Sequence, residues 1–248
     1  MIYICVPSHN EGGTIGLLLW KIRQVFQEFP REYQFLVGDD GSSDGTGEIL
    51  EPYAKALPLQ LFRSLERTGY AATLERLLRE ALELSDRPRR DLAILIHGDF
   101  SHSPELIPEL VRKLESGADL VVAEHRLAPD ASRAERWVRA AAPWLLRKAV
   151  RIPGVSDITS GFAGFRLSTL RQALRTQGGL TLQTDGWAAN AELLSRTAAV
   201  ARQVESIPGL ERLDRRVRPR RLEPVRRAKE LWRAGATLRK LKLEPAAR

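Results

Sequence analysis

One stretch of the sequence constrains the fold more than any other, because an apolar run in it stops abruptly in carboxylates, glycines and hydroxyls. Its residues are Phe35-Leu36-Val37-Gly38-Asp39-Asp40-Gly41-Ser42-Ser43-Asp44-Gly45-Thr46. The run is typical of a buried strand, and the residues after it favour a tight turn that opens a helix. Neighbouring side chains of a strand point to opposite faces, so Asp39 or Asp40 can face the crevice where open α/β sheets bind ligands. A capped turn without a ligand is the alternative.

Along the first half of the chain, apolar runs that are typical of strands alternate with runs of helical periodicity. The predicted pairs are 2–6 with 15–29, 33–37 with 46–56, 59–63 with 68–84, and 92–97 with 104–116, before a strand at 119–123. Repeated strand and helix units imply a mostly parallel sheet with helices on both faces. We therefore predict an α/β fold.

Beyond residue 123 the alternation stops and longer, more basic segments follow. Residues 132–151 indicate a helix interrupted near Pro143, with tryptophans on one side and arginines on another. An ordinary helix with a solvated basic face is the alternative. The stretch 157–166 is too rich in glycine and small hydroxyl residues for a plain strand, which predicts close approach of its backbone to a ligand. The remaining predicted elements are a helix near 188–199, a strand near 201–207 and an arginine-rich helix at 225–243.

Positive charge is concentrated at the end of the chain. The formal net charge is +8, and residues 211–248 hold 14 lysines and arginines against 5 acidic residues. A basic tail indicates an anionic partner, such as a phospholipid surface, a phosphorylated substrate or nucleic acid. Nucleic acid is the weakest of these predictions, since no basic motif interleaved with aromatic residues accompanies the tail.

The single cysteine, Cys5, excludes an internal disulfide and fits a reducing compartment. It lies in the apolar run 2–6, so we expect a buried strand residue rather than a nucleophile. No apolar run approaches the roughly 20 residues that span a bilayer, and no signal peptide is recognisable at the start. We therefore expect a cytoplasmic chain.

Four motifs in series resemble a known family. They are Val6-Pro7-Ser8-His9-Asn10-Glu11, Asp39-Asp40-Gly41-Ser42-Ser43-Asp44-Gly45-Thr46, Arg67-Thr68-Gly69-Tyr70-Ala71-Ala72 and Gly98-Asp99-Phe100-Ser101-His102-Ser103-Pro104-Glu105. In this order they resemble the family-two glycosyltransferases, which have the GT-A fold. The later run Asp157-Ile158-Thr159-Ser160-Gly161-Phe162 is similar to the polyprenyl-phosphate sugar synthases, such as the dolichol-phosphate mannose synthases. The resemblance implies a GT-A domain at 1–222 and a basic helical tail at 223–248.

The resemblance implies a nucleotide-sugar site at the carboxyl ends of the first strands. The residues that it assigns there are Pro7, Asn10, Glu11, Asp39, Asp40, Gly41 and Asp99. A carboxylate at a strand end can accept hydrogen bonds from a base N–H or from ribose hydroxyls. Asp99 takes the place of the second aspartate in the family's Asp-x-Asp motif, which holds a divalent cation against the diphosphate and is expected to act in catalysis.

The chain departs from this pattern at His97, which replaces the first aspartate of the motif. Imidazole is a poor ligand for Mg²⁺ but an acceptable one for Mn²⁺, so the identity of the metal stays open between these two ions. His97 and Asp99 are two residues apart at the end of a predicted strand, so their side chains leave the same face. We expect both to ligate the metal, and a His97 that only packs or hydrogen-bonds is the alternative.

The resemblance further implies a site for the phosphate of the acceptor. The residues aligned with it are Arg126, Arg136, Ser160, Arg215 and Arg221. Arginine grips phosphate bidentately, and a phosphate monoester with a second pKa of about 6 is already an anionic nucleophile at neutral pH. Asp157 matches a family acid that orients an arginine or takes a proton, and an Asx turn before Ser160 is its alternative. Glu192 aligns with another family acid, for which we favour a structural role.

Together these features predict a glycosyltransferase that moves mannose or glucose from a nucleotide sugar to a polyprenyl phosphate, with inversion and a divalent metal. Asp99, Asp157 and Arg136 are its expected catalytic residues. We expect peripheral association with the inner face of an anionic membrane and no nucleic-acid partner. The alternatives are a family-two enzyme with a soluble or glycan acceptor, and a nucleotide-sugar-binding protein that has lost catalysis, which His97 makes possible.

Overall fold

The computed structural model describes residues 1–127, 133–147, 149–150, 152–176, 181–211 and 224–240. The strands are β1 (Ile2–Ser8), β2 (Tyr33–Asp40), β3 (Leu59–Ser64), β4 (Leu92–Leu95), β5 (Leu120–Leu127), β6 (Ala163–Arg166) and β7 (Val204–Glu211). The helices are α1 (Ile15–Glu28), α2 (Thr46–Ala56), α3 (Tyr70–Leu84), α4 (Ile107–Glu115), α5 (Arg133–Arg147), α6 (Leu167–Thr176), α7 (Trp187–Val200) and α8 (Pro224–Lys240). A 3-10 turn, Pro104–Leu106, leads into α4.

The described strands form one seven-stranded sheet in the order β3-β2-β1-β4-β6-β5-β7. As the alternation of strands and helices predicts, β1 pairs in parallel with β2 and with β4, and β2 pairs in parallel with β3. β6 runs antiparallel to both of its neighbours. The predicted α/β fold with a mostly parallel sheet is therefore confirmed.

The two faces of the sheet bury separate apolar layers. On β1, Ile4 and Val6 join the core under α1 and α4, whereas Tyr3 and Cys5 join the core under α3. This alternation follows from the two-residue period of a strand. Cys5 is fully buried, and that burial raises the pKa of its thiol to about 12. The expectation of a buried strand cysteine is therefore confirmed. A thiol with a raised pKa is not ionised at neutral pH, which argues against a nucleophile.

Two expectations for the second half were wrong. The stretch 157–166 contains a short strand, β6, in which a Cβ at Gly164 would lie 2.7 Å from Leu114 Cδ1. Close packing required a glycine there, and that glycine removed the alternating pattern that predicts a strand. The predicted interruption near Pro143 is also absent, since α5 runs through this residue. A proline removes one backbone hydrogen bond, and packing on a neighbouring helix can keep the other turns in place.

That neighbour is α8, which packs along α5. The two helices approach closely at Gly235, where a Cβ would lie 3.0 Å from the carbonyl oxygen of Leu145. The predicted helix at 225–243 is thus confirmed over the described residues. No helix in the described part of the chain has both the length and the apolar character that a bilayer crossing needs.

Candidate active site

The loops that follow β1 and β2 are tied to each other at the carboxyl edge of the sheet. The Asn10 amide donates to Ser42 Oγ at 2.8 Å, and Asn10 Oδ1 accepts from the Ser43 amide at 2.7 Å. The Glu11 amide donates to Thr46 Oγ1 at 2.9 Å. Asn10 has a positive φ of 56°, a strained conformation that these bonds hold in place. The two loops therefore form one wall before any ligand binds.

Asp44 reinforces this wall. Its carboxylate accepts hydrogen bonds from the Gly12 amide at 3.1 Å and from the Thr46 amide at 3.1 Å. Burial by itself raises the pKa of Asp44, but the hydrogen bonds from Thr46 and Gly12 outweigh it and hold the pKa below its ordinary value. Asp44 is thus an anion that ties the two loops together, whereas the N-cap of α2 is Gly45 and has no side-chain cap.

The end of β1 also meets the turn after β4. The Gly98 amide donates to the Pro7 carbonyl at 3.4 Å, and Thr14 Oγ1 donates to the Gly98 carbonyl at 3.0 Å. Thr14 Oγ1 also lies 3.3 Å from Glu11 Oε2. The fold thus brings Pro7, Glu11 and the motif that contains Asp99 to one edge of the sheet, as the sequence predicts for parallel strands.

Asp39 and Asp40 point to opposite faces of the sheet, as predicted, and both are buried. Asp39 lies on the α2 side, where Oδ1 accepts from the Ser42 amide at 3.2 Å and Oδ2 is 3.5 Å from Arg63 Nε. Arg63 also pairs with Glu48 at 3.1 Å and with Glu51 at 3.3 Å. Sequence reasoning missed Arg63, because only the register of β2 against β3 places it beside Asp39.

Asp40 lies on the α3 side and holds the turn before that helix. Its Oδ1 accepts from the Thr68 amide at 2.6 Å and from Thr68 Oγ1 at 2.8 Å, while Oδ2 accepts from the Gly69 amide at 3.0 Å. Gly41 follows with a φ of +60°, and a Cβ there would lie 2.6 Å from the carbonyl carbon of Glu66. Asp40 and Gly41 therefore shape the turn at the edge of the site.

Asp99 is a buried carboxylate just beyond β4. Its Oδ1 accepts from the Ser101 amide at 3.1 Å and from Ser101 Oγ at 2.6 Å. Phe100 between them has a positive φ of 56°, which is unusual for an aromatic residue. Strained backbone beside a buried, oriented carboxylate is a common feature of functional sites.

His97 belongs to a hydrogen-bonded chain that crosses the site. Its Nε2 lies 3.2 Å from the Tyr70 hydroxyl, which donates to Asn190 Oδ1 at 2.6 Å, and Asn190 Nδ2 donates to the Thr159 carbonyl at 3.3 Å. Because Tyr70 has one hydroxyl hydrogen and gives it to Asn190, His97 Nε2 must be the donor to Tyr70. Because Nε2 is engaged with Tyr70, metal ligation by His97 would use Nδ1.

Asp99 and His97 could supply part of the coordination shell of a divalent cation, if a bound ligand supplied the rest. Within the described part of the chain, no three histidine, cysteine, aspartate or glutamate side chains converge on a metal position. One buried carboxylate and one imidazole supply too few ligands for a resident ion, but oxygens of a bound diphosphate can complete the set. β4 ends at Leu95, so the prediction that His97 and Asp99 leave one face of a strand was wrong, and their joint ligation of a divalent cation stays a prediction.

The loop predicted for the acceptor is held by its own side chains. Asp157 Oδ1 accepts from the Thr159 amide at 3.2 Å and from Thr159 Oγ1 at 3.0 Å, which is the Asx turn named as the alternative. Ser160 Oγ donates to the Ala123 carbonyl at 2.7 Å. A Cβ at Gly161 would collide with the His97 ring, so the loop backbone lies against that ring. Close approach of this backbone to a ligand stays a prediction.

The predicted phosphate-binding arginines are described only in part. Arg136 lies exposed on α5. The backbone of Arg126 belongs to β5, while its side chain, Arg215 and Arg221 lie outside the described residues. Their roles stay predictions.

Two buried polar side chains of α7 complete the site region. Sequence reasoning missed Asn190. This residue is a lone amide among the alanines of its helical turn, and a single polar residue in an apolar turn could have indicated a functional contact. Glu192 is fully buried, pairs with Arg196 at 2.5 Å and accepts from the Thr184 amide at 3.0 Å. The structural role favoured for Glu192 agrees with these contacts.

Comparison with known sequences gives a family match and several relatives. A model described as glycosyl transferase family 2 matches residues 3–174. A dolichol-phosphate mannosyltransferase of Pyrococcus furiosus is 24% identical over 173 residues, which are 66% of this chain and 45% of that protein. An undecaprenyl-phosphate 4-deoxy-4-formamido-L-arabinose transferase of Aeromonas hydrophila is 26% identical over 151 residues, 61% of this chain and 43% of that protein. The chain thus spans less than half the length of these relatives.

Solved structures resemble the fold over nearly the whole chain. A glucosyl-3-phosphoglycerate synthase of Mycobacterium tuberculosis has a TM-score of 0.67 at 21% identity, covering 97% of this chain and 81% of that one. A mannosyltransferase of Pyrobaculum calidifontis, solved in complex with GDP-Man and Mn²⁺, has a TM-score of 0.58 at 21% identity, covering 89% of this chain and 57% of that one.

Proposed function

The chain belongs to glycosyl transferase family 2, and on this premise we propose that it transfers a sugar from a nucleotide sugar to a polyprenyl phosphate with inversion at the anomeric carbon. One observation carries the proposal: the carboxyl ends of β1, β2 and β4 bring the buried carboxylates Asp39 and Asp99 to a single edge of the sheet. That is the edge at which open α/β sheets bind nucleotides.

The relatives support the acceptor class more than the sugar. One is named for a dolichol phosphate and mannose, the other for an undecaprenyl phosphate and a modified arabinose. Their sugars differ, but both names contain a polyprenyl phosphate. We therefore propose a polyprenyl phosphate as the acceptor and mannose or glucose as the sugar, with a catalytic domain at 1–222 and a basic tail at 223–248 that keeps it on the inner face of the membrane.

On the donor side, each residue has a separate task. Asp39, already oriented by Ser42 and Arg63, accepts hydrogen bonds from the base or the ribose, and Asn10 and Glu11 wall the same pocket. Asp40 and Gly41 act indirectly, because they fix the turn at 66–69 and need not contact the nucleotide themselves. A site whose polar groups are already positioned loses little entropy when the nucleotide binds.

Asp99, with His97 beside it, would hold the divalent cation, Mn²⁺ or Mg²⁺, against the diphosphate. A structural neighbour solved with GDP-Man and Mn²⁺ supports this assignment. Such a cation stabilises the charge that develops on the departing nucleoside diphosphate. The burial of Asp99 excludes water from its carboxylate, which strengthens its interaction with a cation.

On the acceptor side, the phosphate oxygen attacks the anomeric carbon as the bond from that carbon to the diphosphate oxygen breaks. The nucleophile is already anionic at neutral pH, because the second pKa of a phosphate monoester is about 6. The chain therefore has to position the phosphate rather than deprotonate it. Arg136, with Arg126, Arg215 and Arg221, would supply cationic contacts, and Asp157 would hold the loop at Thr159 and Ser160 in shape.

A transfer assay tests the proposal. The full chain is incubated with Mn²⁺ and each of several radiolabelled nucleotide sugars, with either a short polyprenyl phosphate or soluble sugars and phosphorylated small molecules as acceptors. We expect label in the lipid product, dependent on the polyprenyl phosphate. Label in a soluble product instead would favour a soluble acceptor, and donor binding without turnover for any acceptor would favour lost catalysis; either result contradicts the proposal.

A further inference from the structure

The solvent-facing side of α5 carries large aromatic side chains. Trp137 and Trp144 are 57% and 62% exposed. The sequence predicts tryptophans and arginines on different sides of this helix, but Trp137 and Trp144 share one exposed face with Arg133 and Arg136, because these positions recur at steps of three, four and seven. The buried residues Ala142 and Leu146 lie on the opposite face. The exposed face of α5 is therefore aromatic and basic, which an ordinary solvated helix face is not.

The packed partner, α8, has the same character. Trp232 is 54% exposed, whereas the neighbouring Leu231 and Leu238 are buried in the core. Lys229 and Arg233 are exposed on the side away from the buried residues. Two helices that pack together thus both present tryptophan and basic side chains to solvent.

Their combined charge accounts for the basicity of the protein. α5 and α8 hold ten arginines and lysines against two glutamates. Their net charge of +8 equals the formal net charge of all 248 residues. The helix pair is therefore strongly basic, and residues 212–221 add six arginines and one aspartate to the positive charge of this half of the chain.

We propose that the exposed faces of α5 and α8, with Trp137, Trp144, Trp232, Arg133, Lys229 and Arg233, form a docking face for an anionic phospholipid bilayer. Tryptophan prefers the boundary between headgroups and acyl chains, where its ring is buried and its N–H stays hydrated. Basic side chains around it are attracted to anionic headgroups. Helices with this composition lie in the plane of the interface rather than across it.

The docking face also explains how the acceptor reaches the protein, a consequence that rests on the proposed function. A polyprenyl phosphate presents its phosphate at the headgroup level, where arginine side chains of a docked α5 would lie. Arg136 is one helical position before Trp137. Insertion of that ring would bring Arg136 close to the plane of the lipid phosphates.

The test uses the full chain and vesicles, without any sugar transfer. Vesicles of phosphatidylcholine alone are compared with vesicles that also contain phosphatidylglycerol, by sedimentation and by tryptophan emission. We expect binding to the anionic vesicles with a blue shift of the emission. A variant with Trp137→Ala, Trp144→Ala and Trp232→Ala should bind them more than tenfold more weakly, and its thermal unfolding should match that of the unaltered chain, because these rings are exposed.

Matched controls come from the opposite side of the sheet. Trp20, 48% exposed on α1, gives Trp20→Ala as the aromatic control. A double variant, Lys229→Glu with Arg233→Glu, should also weaken vesicle binding more than tenfold. Arg23→Glu with Lys55→Glu makes the same charge change on α1 and α2 and should leave vesicle binding within twofold of the unaltered chain.

Three results would overturn the docking face. The first is that the triple tryptophan variant binds anionic vesicles as tightly as the unaltered chain. The second is that the unaltered chain binds neutral and anionic vesicles equally. The third is that the unaltered chain binds duplex DNA more tightly than vesicles at the same salt concentration, and that the triple tryptophan variant loses this DNA binding. The last result would make the face a nucleic-acid surface. A chain that docks as expected but transfers sugar to no lipid would contradict the proposed function and leave the docking face standing.

Discussion

The donor edge, formed by the ends of β1, β2 and β4, and the docking face on α5 and α8 are built in opposite ways. At the donor edge Asp39, Asp40 and Asp99 are buried, and neighbouring amides and hydroxyls already orient them. On the docking face, charged and aromatic side chains extend into solvent. A pre-positioned set of hydrogen-bond partners selects one small ligand, whereas a surface of charge and aromatic area binds a broad partner with little geometric demand.

The largest expected effect is at Asp99. Replacing it by Asn keeps an oxygen that can accept from Ser101 but removes the negative charge that would hold the cation. We expect the rate of sugar transfer at saturating donor to fall by about a hundredfold or more, roughly 2.7 kcal/mol of transition-state stabilisation.

Asp91 offers a matched control, since it is a buried aspartate at the amino end of β4 that pairs with the N-terminal amine. Asp91→Asn should lower the thermal stability while the transfer rate of the folded enzyme changes little. If Asp99→Asn transferred sugar at a rate within threefold of the unaltered chain, the proposal that the donor edge takes part in the reaction would be contradicted.

The next largest effect concerns the link between the donor edge and the loop that contains Thr159. Asn190 joins Tyr70, at the start of α3, to Thr159 in the acceptor loop. Asn190→Ala removes a hydrogen-bond partner of the half-buried Tyr70 hydroxyl and of the buried Thr159 carbonyl, which should cost about 1 to 3 kcal/mol of unfolding free energy. Urea unfolding of Asn190→Ala, Tyr70→Phe and the double variant measures this coupling, and fully additive losses would show that the two residues act independently.

The smallest effect is a change of preference at His97. If Nδ1 of this ring ligates the cation, His97→Asp supplies a harder oxygen ligand and should move the ratio of Mn²⁺-supported to Mg²⁺-supported activity toward Mg²⁺ by about tenfold, about 1.4 kcal/mol. Metal titrations at fixed donor and acceptor measure the ratio. An unchanged ratio would mean that His97 only packs and hydrogen-bonds to Tyr70.

The sequence predicts the donor half well because its physical signals are local. Strands buried on both faces give continuous apolar runs, as in β1 and β2, and polar residues just after them mark the carboxyl edge. Hence Asp39 and Asp40 could be assigned to opposite faces from the sequence alone. Which partners they meet could not, because Arg63 and Thr68 reach them only through strand register and a turn.

The acceptor half is harder because its determinants are long-range. β6 lost its alternating pattern to a glycine packed against Leu114, and α5 continues through Pro143 beside a helix that begins far along the chain. Asn190 meets Tyr70 across 120 residues of sequence. The tryptophans and arginines of α5 were visible in the sequence, but their common exposed face and the pairing of α5 with α8 were not.

The most direct test of a nucleotide-sugar site at the donor edge is calorimetric titration of the full chain and of Asp39→Asn with GDP and with UDP in the presence of Mn²⁺. The unaltered chain should bind at least one of the two, and Asp39→Asn should weaken that binding by more than tenfold, about 1.4 kcal/mol. Asp119→Asn, at a buried aspartate that pairs with Arg166 before β5, is the control and should keep the affinity. Equal affinities for the unaltered chain and Asp39→Asn, with both proteins folded, would contradict the assignment.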